Sequence, residues 1–185
     1  MPRALLALLC ASAAACSDPV TTVADPSCGE GVGWQGSHAE VAPEGKLASG
    51  GDHVASELMH PGRECLKCHQ ANRRAPVLLV AGTIYRIADE RSDCAGAAGA
   101  TVLVIDDNGV RYERTTNATG NFFIRQSDAP DFAMPYRTEV TFGAKTYSMY
   151  PSTDNGDCNT CHTPSGAQKA VGRACVDEND VRCTH

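Results

Sequence analysis

One pattern occurs twice in the chain, as Cys65-Leu66-Lys67-Cys68-His69 and as Cys158-Asn159-Thr160-Cys161-His162. Two thiols three positions apart fall on one face of a helical turn. From there each can form a thioether to one haem vinyl group, and the adjacent imidazole can turn beneath the porphyrin to ligate iron. The candidate cofactor-binding residues are therefore Cys65, Cys68, His69, Cys158, Cys161 and His162, with His69 and His162 as the proximal iron ligands. Two other chemistries use paired C-x-x-C. A structural zinc site takes four thiolates but requires no histidine after each pair. Motifs beginning at residues 65 and 158 also lie much farther apart than the about 15–20 residues of a zinc ribbon. Disulfide or dithiol redox pairs, in turn, leave both histidines unexplained.

At these residues the chain resembles the c-type cytochromes, as a small dihaem member. The resemblance rests on the two pentapeptides, so it implies a cofactor, two covalently held haems c, rather than a fold. Haem would supply one-electron chemistry while the protein sets its potential. The expected activity is electron transfer to and from redox partner proteins, with no nucleophile–base array or phosphate loop beside the motifs. A different class of function is a haem-containing binding or sensor module, which a five-coordinate iron would favour. Haem peroxidase activity needs an open iron site and a polar distal pocket, and the sequence displays neither. The distal ligand candidates rank His60, His53, Met149 and then Met59, with His38, His185 and Met134 also of the right type. A His/Met pair raises the potential relative to two histidines.

The amino terminus places this chemistry in a compartment. Met1-Pro2-Arg3 is a short positive region, Ala4 to Ala15 is apolar with small residues at its end, and Cys16 follows. This reads as a secretory signal, too short to span a bilayer. Ala13-Ala14-Ala15-Cys16 resembles a bacterial lipobox, which implies lipidation at Cys16 and attachment to a membrane. The expectation is an exported protein of the periplasm or outer membrane, where ten cysteines suit an oxidising environment. The net charge of −6, without a basic stripe, argues against nucleic acid as a partner.

The chain divides by texture into a signal (1–15), a lipid-anchored Gly-, Ser- and Pro-rich lead-in (16–52), a first haem segment (53–76), a β-rich region (77–150), and a second haem segment with its tail (151–185). Within the β-rich region, strands are expected at Val77 to Ile87, Thr101 to Ile105, Val110 to Thr116, Asn121 to Arg125, Tyr136 to Phe142 and Lys145 to Tyr150. Asp106-Asp107-Asn108-Gly109 between two such runs is a hairpin signal. Short strands at this spacing predict a mainly β fold, an antiparallel β-sandwich flanked by irregular and short-helical haem-binding segments. The stretches Ala81-Gly82-Thr83-Ile84-Tyr85, Gly99 to Val104 and Thr115 to Ile124 resemble the carboxypeptidase-regulatory-like, or transthyretin-like, sandwich. That resemblance implies a non-catalytic scaffold.

Apart from Cys10 in the signal, four cysteines remain after haem and lipid assignment, Cys28, Cys94, Cys175 and Cys183, and they allow three pairings. The expected set is Cys175 with Cys183, which are close in sequence, and Cys28 with Cys94.

Overall fold

The computed structural model describes residues 61–71 and 75–183. The elements run α1 (Cys65–Ala71), β1 (Leu78–Thr83), β2 (Thr101–Ile105), β3 (Arg111–Thr115), β4 (Asn121–Arg125), β5 (Tyr136–Phe142), β6 (Lys145–Thr153) and α2 (Cys158–Cys161). Short 3-10 turns follow at Gln126–Asp128 and Val181–Cys183. The fold is mainly β, in two antiparallel sheets: β1 pairs with β4, and a second sheet has the order β3-β2-β5-β6.

Alternation along the strands builds the core. Val102 and Val104 of β2 are buried, as are Val80 of β1, Phe122 and Ile124 of β4, Tyr136 of β5 and Tyr147 of β6. All belong to one hydrophobic cluster that draws on both sheets. Each fully buried Val, Ile or Phe contributes about 1.5–3 kcal/mol relative to exposure, so this shared cluster is what holds the strands together. Strand β3 alternates between exposed and half-buried positions at the margin of its sheet. Arg111 and Glu113 face solvent there, and such charges discourage edge-to-edge pairing.

The expected turn closes β2 onto β3. Gly109 donates its backbone N–H to Asp106 O at 3.0 Å, and Val110 N–H donates to Asp106 Oδ1 at 2.8 Å. Three strands have the bounds expected from sequence: Thr101–Ile105, Asn121–Arg125 and Tyr136–Phe142. Two differ. The strand expected to reach Ile87 stops at Thr83, because the chain there leaves β4 for other partners. Ile84 N–H donates to Gly120 O, Tyr85 N–H to Ala174 O, and Val176 N–H back to Tyr85 O. Strand β6 continues past Tyr150 through Pro151. It is the outer strand of its sheet, where a residue without an N–H is tolerated.

β1 is the spine on which both C-x-x-C-H segments rest, since α1 and α2 both pack on it. The chain leading into α2 joins its open side, with Ala81 N–H donating to Gly156 O at 2.9 Å. Behind it, Arg173 is buried over the Tyr85 ring, 4.1 Å from its centroid. Its guanidinium pairs with buried Asp93 at 2.5 Å and donates to Glu90 O at 2.7 Å. Cys175 and Cys183 form the expected disulfide, with Cα atoms 5.1 Å apart. Cys94 is disulfide-bonded, and its expected partner Cys28 lies outside the described residues. So do the signal, the lead-in with Cys16, and the distal-ligand candidates His53, Met59, His60, His38 and His185. No helix among the described residues is long and apolar enough to cross a membrane.

Candidate functional site

The two motifs, distant in sequence, meet in space. Asp157, immediately before the second motif, sends its carboxylate to the first. Its Oδ2 accepts from Leu66 N–H at 2.8 Å, satisfying one of the amides that an α-helix leaves unpaired at its start. Asp157 also stands at the N-cap of α2, yet it makes no side-chain cap bond there: its Oδ2 is turned to α1, and its Oδ1 is buried without a hydrogen-bond partner. Burial raises its carboxyl to about 6, against the pull of the backbone N–H groups at the start of α1.

Asn159, inside the second motif, completes the join. Its Nδ2 donates to Arg63 O at 2.7 Å and to Thr83 Oγ1 at 3.3 Å, and reaches Cys65 Sγ at 3.7 Å. Its Oδ1 accepts from Thr83 N–H at 3.1 Å. The Thr83 hydroxyl donates to Asn121 Oδ1 at 2.8 Å and accepts from Gly62 N–H at 2.8 Å. One donor and two lone pairs are thereby used in full, and a satisfied network of this kind costs little to bury.

Gly82 of β1 sits beneath the second motif. A Cβ added there would lie 2.7 Å from Cys158 Cβ and 3.2 Å from its Sγ, closer than carbon atoms pack. Tyr136 lies on the other side of this cysteine, its hydroxyl donating to Asn155 O at 2.8 Å and standing 3.9 Å from Cys158 Sγ.

The histidines are oriented alike. His69 Nδ1 lies 2.7 Å from Pro76 O, and His162 Nδ1 lies 3.0 Å from Gly172 O. A carbonyl oxygen only accepts, so Nδ1 carries the proton in each ring and Nε2 keeps its lone pair for a metal. Gly172 has a φ of 152°, and a Cβ there would meet Ala88 O at 2.6 Å, so the residue that presents this carbonyl has to be glycine. Its neighbour Arg173 anchors the backbone, donating N–H to Ala88 O at 2.8 Å. Burial holds His162 below the usual imidazole range, opposed by the Gly172 carbonyl.

Among the described residues the free cysteines are Cys65, Cys68, Cys158 and Cys161. Burial pushes Cys158 up to about 12 and Cys65 well above the usual thiol range, with Asp157 adding to the latter. Cys68 is raised for the same first reason. Thiols raised in this way, at Cys65, Cys68 and Cys158, are the reverse of the low-pKa nucleophile that a dithiol redox enzyme needs. Nor do the four converge as zinc ligands must. Among the described residues the single cluster with three side chains in metal-binding range is Cys175, Asp180 and Cys183, and its two sulfurs are joined to each other. In each motif two thiols outside any disulfide stand on one turn, followed by an imidazole whose Nδ1 is bonded to a carbonyl, a set of groups that could hold haem c.

Met149, the remaining distal candidate in the described part, stands opposite Thr138 in the β5–β6 ladder. It shares a strand face with core Tyr147, while α2 packs chiefly on β1. Met134, also of ligand type, is exposed just before β5. The sequence reading did not single out Asp157, Asn159, Thr83, Gly82 or Gly172. Asn159 occupies a position the motif leaves open, and the histidine partners are backbone carbonyls without a sequence signature. Asp157 carried the one available signal, a helix-capping residue directly ahead of the second motif. Compared with known protein families, curated proteins and solved structures, the chain gives no match.

Proposed function

We propose that the protein is an exported dihaem c-type cytochrome that carries electrons between redox partner proteins at the bacterial cell envelope, tethered through a lipid on Cys16. Cys65 and Cys68 would hold one haem by thioether bonds and Cys158 and Cys161 the other, with Nε2 of His69 and His162 toward the irons. Bound haem supplies reversible one-electron chemistry. The rest falls to the chain: the Pro76 and Gly172 carbonyls fix the tautomer and angle of the imidazoles, and burial tunes the iron potentials. The observation that carries this reading is the matched pair of Nδ1–carbonyl bonds, at 2.7 and 3.0 Å. Two histidines that merely followed cysteine pairs by chance would have no reason to share it.

The scaffold belongs to the same proposal. The hydrophobic cluster that both sheets share among the described residues supports an antiparallel sandwich, and the sequence resemblance supplies its transthyretin-like, scaffolding character.

The test is a mass determination of the matured, purified protein together with haem staining after denaturation. Two covalent haems are expected, with an acyl modification on Cys16. A colourless product, or Cys65–Cys68 and Cys158–Cys161 recovered as disulfides, overturns the reading.

A further inference from the structure

The side chains that join the two motifs come from one side. Asp157 directly precedes the second motif and Asn159 lies within it, while the groups they bond, Leu66 N–H, Arg63 O and Cys65 Sγ, belong to the first motif or lie just before it. Both side chains are nearly sealed from solvent, Asp157 at 6% and Asn159 at 2% exposure. Asn159 therefore touches the first cysteine of one motif and is the chain neighbour of the first cysteine of the other. The second motif is itself pressed onto β1 at Gly82, and Thr83, the next residue, binds Asn159 through both backbone and hydroxyl. The two attachment points are thus parts of one rigid seam with a single residue between them.

We propose that Asp157 and Asn159 are positioning residues that lock the two motifs into one unit, so that haems attached there exchange electrons with each other and titrate as an interacting pair. The inference rests on the haem reading. Haems held there would supply one-electron exchange in which the electron lost by one centre is gained by the other, and no atom or proton would change place. The physical ground is that two centres of changing charge held across a buried seam feel each other strongly, because little water screens them. An electron on one makes the next harder to add, which gives two macroscopic steps belonging to the pair.

The experiment uses the matured full-length protein. Haem is first counted by mass, then the Soret circular dichroism is recorded and a spectroelectrochemical titration run, for wild type and for Asn159→Ala. Wild type with two haems is expected to give a bisignate Soret couplet and two separated reduction steps. Asn159→Ala, with two haems still attached, is expected to lose most of the couplet and to bring the steps together. A merely structural role would lower the melting temperature and leave couplet and step separation as they were, which overturns the assignment. Where Asn159→Ala does not accumulate, Asp157→Ala carries the same expectation. Fewer than two haems overturns the haem reading, and this inference with it. Two haems in wild type with no couplet and independent titration overturns the inference alone.

Discussion

The same pentapeptide pattern is used in two unlike settings. The first motif opens a helix of seven residues, and its histidine bonds to a carbonyl in the short run between α1 and β1. The second forms a single turn of four residues. Its histidine is held by a carbonyl ten residues on, after a loop in which Gln168 and Lys169 adopt positive φ values of 49° and 77°. Side chains in that conformation are uncommon and persist only where the surroundings impose them. The first motif thus depends on the second for its helix cap, whereas the second is fixed by the sheet and by the buried Arg173–Asp93 pair. The contrast teaches that C-x-x-C-H specifies chemistry, while the local environment is set by whatever the fold brings alongside. If the proposed haems are bound, the burial that disfavours added positive charge beside His162 should give an iron at the second motif the higher potential.

The largest effect expected to test this contrast comes from Arg173→Leu. It leaves Asp93 buried without its guanidinium, and breaking a buried pair costs about 3–5 kcal/mol. Chemical denaturation should show that loss, and the potential assigned to the second motif should move more than that of the first, whose entry at Gly62 also packs against the pair. Equal movement of both would break the contrast. Gly82→Val comes next. It forces a side chain against Cys158, and overpacking of this kind costs about 1–3 kcal/mol. Covalent haem should be depleted at Cys158 and Cys161 before Cys65 and Cys68, as read by peptide mass mapping. Depletion at the first motif instead would reverse the assignment of support.

A third test is a pH dependence that links the two motifs, spread over about two pH units so that its effect at any one pH step is the most gradual of the three. Asp157 titrates near 6 in the folded protein because it is buried, whereas an unfolded aspartate titrates near about 3.9. Between these values the folded state binds the proton more tightly than the unfolded one. Stability from this group is therefore fully present below about pH 4, falls as pH rises through 6, and is level above, a change on the order of 3 kcal/mol. Asp157→Asn keeps an acceptor for Leu66 N–H and removes the titration. Its unfolding free energy should be flat across pH 4–7 where wild type declines, and an unchanged slope would place the titration elsewhere.

Much of the scaffold could be read before any coordinates. β2, β4 and β5 carry alternating apolar runs bounded by turn residues, and their limits follow from that local pattern alone. The Cys175–Cys183 bridge was legible because eight residues separate the two. The truncation of β1 at Thr83 was not, because a run as apolar as Leu79 to Tyr85 has no local reason to change partners there. Only the tail arriving at Tyr85 makes it do so. The pairing of β1 with β4 is likewise a tertiary fact. In the candidate site the reactive residues were visible from spacing, and their supports were not. Asn159 reads as a spacer within its motif until Arg63, Thr83 and Cys65 are seen around it.

The bond from Leu66 to Asp157 also fixes an order of events. A polypeptide is made from its amino end, so the helix bearing Cys65 emerges long before the aspartate that finishes it, 91 residues later. Until then the intervening strands must come together with one amide of that short helix still open, and seven residues make a helix too short to persist alone. Completion of the earlier half of the molecule therefore waits on arrival of the later half. A chain cut anywhere between the two should leave α1 frayed, however intact its own sequence.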